Sequence, residues 1–120
     1  MSSLVRIGIT AGDLNGIGLE CTLKALHGMA WPGHQRAVII GSLPVIRRQC
    51  RALRLPVPEP CAPWDLSRES DPVSVWDPAP DLVPDWQPGK LRKDASLAAL
   101  AAITAAVAAC QEGVLDAMVT

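Results

Sequence analysis

The sequence predicts a three-layer α/β fold, with a largely parallel sheet and flanking helices. Three observations predict it. Short apolar runs without polar alternation recur along the chain, as expected for strands covered on both faces. Segments with apolar residues at helical spacing separate them. A glycine-rich turn joins the first strand to the first helix, at the position where such folds bind ligands.

Leu4–Ile9 is short, β-branched and bounded by Gly12 and Asp13, so it reads as a strand. Over 17–29, Leu19, Leu23, Leu26 and Met29 fall on one helical face, and Gly28 and Pro32 end the helix. Ala37–Ile40 is a second buried strand, closed by Gly41 and Ser42. Ser42 is placed to cap a helix with Pro44 in its first turn, running to Leu53 or Leu55. Arg47, Arg48, Arg51 and Arg54 load its later half with positive charge, which favours a helix carboxyl end and reads as solvated surface; a phosphate-binding patch is the alternative.

Ten of the eleven prolines lie between Pro44 and Pro88. Residues 56–89 therefore read as an irregular insert, with Val73–Trp76 as a short strand within it. The insert is acidic, through Asp65, Glu69, Asp71, Asp77, Asp81 and Asp85. Trp64, Trp76 and Trp86 read as anchors that pin it to the body, with ligand stacking as the alternative. Asp94–Glu112 is the clearest helix, with Asp94 as its N-cap and nine alanines by Ala109. Leu97, Leu100, Ile103, Val107 and Cys110 form a larger-residue stripe on a helix apolar nearly all round, which predicts burial on both sides: one against a sheet, the other against a further domain or subunit. Gly113 ends this helix, and Val114–Thr120 reads as a third buried strand.

Composition narrows the function. The chain has 120 residues, 49% hydrophobic and 19% charged, which is too apolar for disorder and too interrupted for a membrane span. Twelve acids and eleven bases leave a net charge of -1, so no basic field invites nucleic acid or an anionic membrane. Four Trp without Phe or Tyr give little stacking surface for single strands. Cys21, Cys50, Cys61 and Cys110 form no CxxC pair, and with only His27 and His34 they disfavour a zinc site; they read as small, mostly buried side chains. No signal peptide is legible after Met1, so a cytoplasmic location with reduced thiols is expected.

One segment carries chemistry. Thr10–Glu20, with three glycines and an asparagine, allows positive φ and close approach of a ligand. A helix beginning near Gly16 would point its amides at an anion. Asp13 and Asn15 could bind ligand hydroxyl or amide groups; equally, they could serve as helix cap and turn-former. The segment is neither a dinucleotide fingerprint, since Cys21 stands where a third glycine belongs, nor a P-loop.

Arg6–Glu20 resembles the opening of 4-hydroxythreonine-4-phosphate dehydrogenases, an Ile-Thr-Pro-Gly-Asp-Pro-Ala/Asn-Gly-Ile-Gly-Pro-Glu pattern. Gly89-Lys90, the small-residue helix and Gly113–Thr120 are similar to that family's Gly-Lys, helix and Gly-x-x-Asp-Ala-x-Val-Thr. The middle of the chain matches only in rhythm. Ala11, Leu14 and Leu19 replace family prolines, which loosens the loop without removing a polar group.

The resemblance implies an incomplete part of a two-domain, isopropylmalate dehydrogenase-like fold, with residues 1–120 as its N-terminal portion. It implies NAD-dependent oxidation and decarboxylation of 4-phosphohydroxy-L-threonine in pyridoxal phosphate biosynthesis, with a divalent metal and a homodimer. It favours a cofactor role for Asp13, Asn15, Gly16 and Gly18. The family's later Gly-Pro-x-x-Lys, its phosphate-binding Thr-Gly-His-Thr and its three metal-binding histidines have no counterpart in this sequence. No catalytic or metal residue is therefore assigned, and the chain alone is expected to be inactive, as a truncated form. Two alternatives stand beside this reading: a related decarboxylating dehydrogenase of another hydroxy acid, and a non-catalytic α/β module that dimerises through the Ala-rich helix.

Overall fold

The computed structural model describes residues 4–120; Met1–Ser3, where the reading of a leaderless amino terminus begins, lie outside the described residues. Five strands, β1 (Val5–Thr10), β2 (Gln35–Ile40), β3 (Glu59–Pro60), β4 (Val73–Trp76) and β5 (Ala117–Val119), form one sheet in the order β3-β4-β2-β1-β5. Every pairing is parallel. Three helices, α1 (Gly18–His27), α2 (Leu43–Leu53) and α3 (Lys93–Gln111), make the crossovers.

The central strand explains the layering. Arg36–Ile40 is buried without interruption, so alternate side chains must meet protein on opposite faces. Ala37 and Ile39 pack with Leu19, Leu23 and Leu26 of α1 and Val45, Ile46 and Cys50 of α2. Val38 and Ile40 pack with Ala102, Ala106 and Ala109 of α3, together with Leu66 and Leu115. Each such aliphatic side chain contributes roughly 1.5–3 kcal/mol on burial. Arg36 is buried as well, and its guanidinium donates to the carbonyls of Gly33, Gln35, Ser67 and Arg68. It thereby ties the irregular insert to the sheet.

Several expectations are corrected. The first helix stops at His27, which leaves Met29 beyond it and 49% exposed. Ser42 occupies the N-cap position of α2, but its side chain makes no capping bond. The Asp77 carboxylate accepts from the Leu43 N–H instead, at 3.0 Å, because the end of β4 brings it there. Arg92, not Asp94, is the N-cap of α3. Trp76 and Trp86 pack on the core, but Trp64 is exposed and forms a T-shaped pair with Trp76. The last strand is an open edge of three residues, with Ala117 and Val119 exposed; the buried residue of that segment is Leu115, before the strand. All four cysteines are free, but only Cys50 is fully buried, and Cys21 is exposed. Burial raises the Cys50 thiol pKa; burial, and then the nearby Asp65 charge, raise that of Cys61.

The sequence left open which side of α3 meets the sheet, and the structure decides it. Its alanines face the sheet: Ala95, Ala98, Ala102, Ala106 and Ala109 are buried. The larger stripe faces out, with Leu97, Leu100, Ile103 and Val107 exposed. The space beneath the helix is already filled by Val38, Ile40, Leu66 and Leu115. Gly8 below it has no room even for a methyl group, since a Cβ there would lie 2.7 Å from Leu115 Cδ1. Only a small-residue face fits over such a surface.

Ala106→Leu is therefore expected to cost about 1–3 kcal/mol through overpacking. Leu100→Ala should change stability by no more than about 0.5 kcal/mol. Urea midpoints of the two variants check this, and the opposite ranking would contradict an inward-facing alanine side.

The start of α3 gives a pH prediction. The Asp94 carboxyl pKa is lowered from its ordinary 3.8, first by the Asp85 backbone N–H and then by Arg92. Its contribution to stability is complete above 3.8 and is lost as pH falls through the lower folded value. Asp94→Asn should thus be less stable than the parent at neutral pH, and the gap should close in strong acid. Thermal melts of both proteins from neutral to acid pH measure it.

Candidate functional site at the carboxyl ends of the strands

β1 lies between β2, reached through α1, and β5, reached from β4 through α3. The crossovers therefore run in opposite directions on its two sides. That is a topological switch point, where open α/β sheets bind ligands beyond the strands' carboxyl ends. The Thr10 hydroxyl donates to the Thr120 hydroxyl at 2.9 Å across the two strand ends. The glycine-rich segment begins at this point.

The course of this loop follows from its residues. The Ala11 N–H donates to the Ile40 carbonyl, which extends the β1–β2 ladder by one bond. A Cβ on Gly41 would lie 2.6 Å from that of Ala11, so the loops after β1 and β2 touch only because Gly41 has no side chain. Gly12 then takes φ +67, a left-handed conformation open to glycine. The Asp13 carboxylate accepts from the Asn15 N–H at 3.0 Å, and the Asp13 carbonyl accepts from the Gly16 N–H at 3.0 Å. This Asx turn delivers the chain to α1.

The four expected cofactor-side residues divide into two groups. Asp13, Gly16 and Gly18 are exposed, together with Ile17, and Ile17 at the N-cap gives α1 no side-chain cap. The amino end of α1 at Ile17 and Gly18 is thus exposed, with the positive end of the helix dipole, while Leu19 of the same turn is buried. Asn15 is different: it is 4% exposed and its amide is engaged within the chain. Its Nδ2 donates to the Lys90 carbonyl at 3.0 Å, and its Oδ1 accepts from the Gln87 N–H at 2.9 Å. Its backbone carbonyl accepts from the Gly89 N–H at 2.7 Å.

Two residues beneath the loop brace it, and of these Gln49 carried no reading in the sequence. Trp86 Nε1 donates to the Leu14 carbonyl at 3.1 Å, and Gln49 Nε2 donates to the same oxygen at 3.4 Å. Arg48 lies over the Trp86 ring, 5.3 Å from its centroid. The signal for Gln49 was present: a polar residue on the inward side of α2, beside Ile46 and Cys50. Trp86 was legible as an anchor, but its partner was not. His27 and His34 lie outside this loop, and among the described residues no group of three His, Cys, Asp or Glu could hold a metal ion.

Loss of the Asn15 amide should be felt on both sides. Asn15→Ala is expected to cost about 1–3 kcal/mol, because it strands polar groups that the fold has buried. Hydrogen exchange should quicken at the Gln87 amide more than at Gly89, whose acceptor is the retained backbone carbonyl. Equal protection in parent and variant would show that the clamp lies elsewhere.

No family model matches the chain. A Cutibacterium acnes protein provisionally named D-threonate 4-phosphate dehydrogenase is 33% identical over 120 residues, spanning 95% of this chain and 34% of that protein. The crystal structure of a 4-hydroxythreonine-4-phosphate dehydrogenase from Burkholderia phymatum aligns with TM-score 0.79 and 28% identity, over 98% of this chain and 36% of that one. The enzyme of the same description from Klebsiella pneumoniae aligns with TM-score 0.74 at 28% identity, with the same coverage. The chain thus spans about a third of the length of these relatives. Along almost its whole length, this chain is similar to part of the 4-hydroxythreonine-4-phosphate dehydrogenase-like proteins, as an N-terminal portion of such an enzyme would be.

Proposed function

We propose that this chain is the N-terminal, cofactor-side segment of an NAD-dependent dehydrogenase that oxidises and decarboxylates 4-phosphohydroxy-L-threonine in pyridoxal phosphate biosynthesis. One observation carries the proposal: the chain superposes on solved dehydrogenases over 98% of its length while it holds an open glycine loop at a switch point. A second reading has its own support. The relative at 33% identity is named for D-threonate 4-phosphate, so the substrate would be another phosphorylated hydroxy acid of the same class.

The residues present fit part of a nicotinamide cofactor. Bound NAD would supply a hydride acceptor. The exposed backbone at Gly16 and Gly18, with the uncapped amino end of α1, would hold its phosphates, and Asp13 would accept from a hydroxyl. Asn15 would act by holding the loop in shape through Gln87 and Lys90. The residues present do not fit a divalent metal, so no step of this proposal runs through one. A homodimer and a cytoplasmic location belong to the same reading. The exposed face of α3, with Leu97, Leu100, Ile103 and Val107, favours a further protein contact there, as does the alternative of a non-catalytic dimerising module.

The purified chain alone should form no NADH with either phosphorylated substrate. Grafted in place of the corresponding segment of the Burkholderia phymatum enzyme, it should give an active chimera. In that chimera Asp13→Ala should raise the KM for NAD with little change in kcat, the mark of lost uniform binding. Sustained NADH formation by the chain alone would end the claim of inactivity. A folded chimera inactive on both substrates would end the dehydrogenase reading.

A further inference from the structure

α1 has two ends about 15 Å apart, given 1.5 Å of rise for each of its 10 residues. The glycine loop lies at its amino end. At its carboxyl end the structure holds a separate cavity of about 310 Å³ that the dehydrogenase reading does not use. Its floor is Leu23, Leu26 and Ile39, and Trp31 forms part of its wall. The remaining walls come from the link between α2 and β3 and from the approach to β4.

Three features suit this cavity to a ligand. Pro56, Pro58 and Pro72 stand in its walls, and their fixed φ angles resist collapse of the space, so little ordering is needed on binding. Its size is at the lower end of small-molecule sites, and its lining is mainly apolar, as in such sites. Its charge is one-sided. Glu59 and Asp71 line it, both exposed, and neither has an ion-pair or side-chain hydrogen-bond partner among the described residues. No Lys or Arg lines it, and His27 is the only other ionisable lining residue.

We propose that this cavity is a second ligand site, for a small organic amine with an apolar or aromatic body. The body would fill the space against Leu23, Leu26 and Trp31. The ammonium would lie at the mouth, near Glu59 and Asp71, where an aromatic wall also favours a cation. The amine is favoured over a neutral or acidic molecule because, among the described residues, the mouth carries two carboxylates with no ion-pair partner and no guanidinium or lysine ammonium group. The inference does not depend on the dehydrogenase reading.

Phenethylamine is a suitable probe, with phenethyl alcohol and phenylacetate as neutral and anionic matches of its shape. The readout is the indole N–H resonance of Trp31, assigned by its loss in Trp31→Phe. Phenethylamine should shift this resonance saturably, with a Kd on the order of 1 mM for so small a ligand. The alcohol should bind about fivefold more weakly and phenylacetate more weakly still, the size of effect expected from two partly exposed charges. Glu59→Gln with Asp71→Asn should remove the fivefold preference and leave the alcohol unchanged. Equal binding of all three probes would reduce the cavity to an unselective apolar pocket and overturn the proposal. Amine affinity unchanged in the double variant would overturn it as well, as would a Trp31 resonance unmoved by any probe.

Discussion

The fold depends on the burial of one strand from both sides. β2 exposes nothing from Arg36 to Ile40, and a parallel strand in that state exists only when helices cover both faces of its sheet. The chain meets this demand by reversing direction. α1 and α2 cover one face as the strands are laid from β1 towards β3 and β4, and α3 covers the other as the chain crosses back to β5. The reversal places a switch point between β1 and β5. The same geometry that closes the core therefore also sets the place where open sheets of this kind bind ligands.

The loop at that point does not hold its own shape. Its backbone is steered locally by Gly12 and the Asp13 turn, but it is fixed from a distance by residues 49 and 86–90. The Leu14 carbonyl takes bonds from Gln49 and Trp86, and Asn15 bonds to Gln87, Gly89 and Lys90. Buried polar groups of this kind specify one arrangement because any other leaves them unpaired. This division of labour leaves Asp13, Gly16 and Gly18 facing outward while Asn15 turns inward. A loop so braced keeps one shape without a partner to order it.

α3 shows how packing volume can override side-chain size. Hydrophobicity alone would turn Leu97, Leu100, Ile103 and Val107 inward. The sheet beneath is already crowded by Val38, Ile40 and Leu115, and only the alanine face fits. The outcome is a thin, close layer over the sheet and an apolar ridge on the outside. A ridge of that kind is the sort of surface that proteins cover with another chain or another domain.

The sequence by itself determined the α/β class, the three helices and the strands β1, β2 and β4, because strand and helix periodicities and glycine or proline breaks are local properties. It also singled out the Thr10–Glu20 loop, since glycine, asparagine and aspartate favour such a turn. The tertiary structure alone decided the rest. Which face of α3 turns inward depended on space left by residues far away in the chain. Asp77 rather than Ser42 capped α2 because β4 ended beside it. Asn15 became a clamp, bonded across more than 70 residues of sequence, because the 86–90 segment came to rest against it. These choices are settled by who meets whom in three dimensions, and no local pattern of residues encodes that.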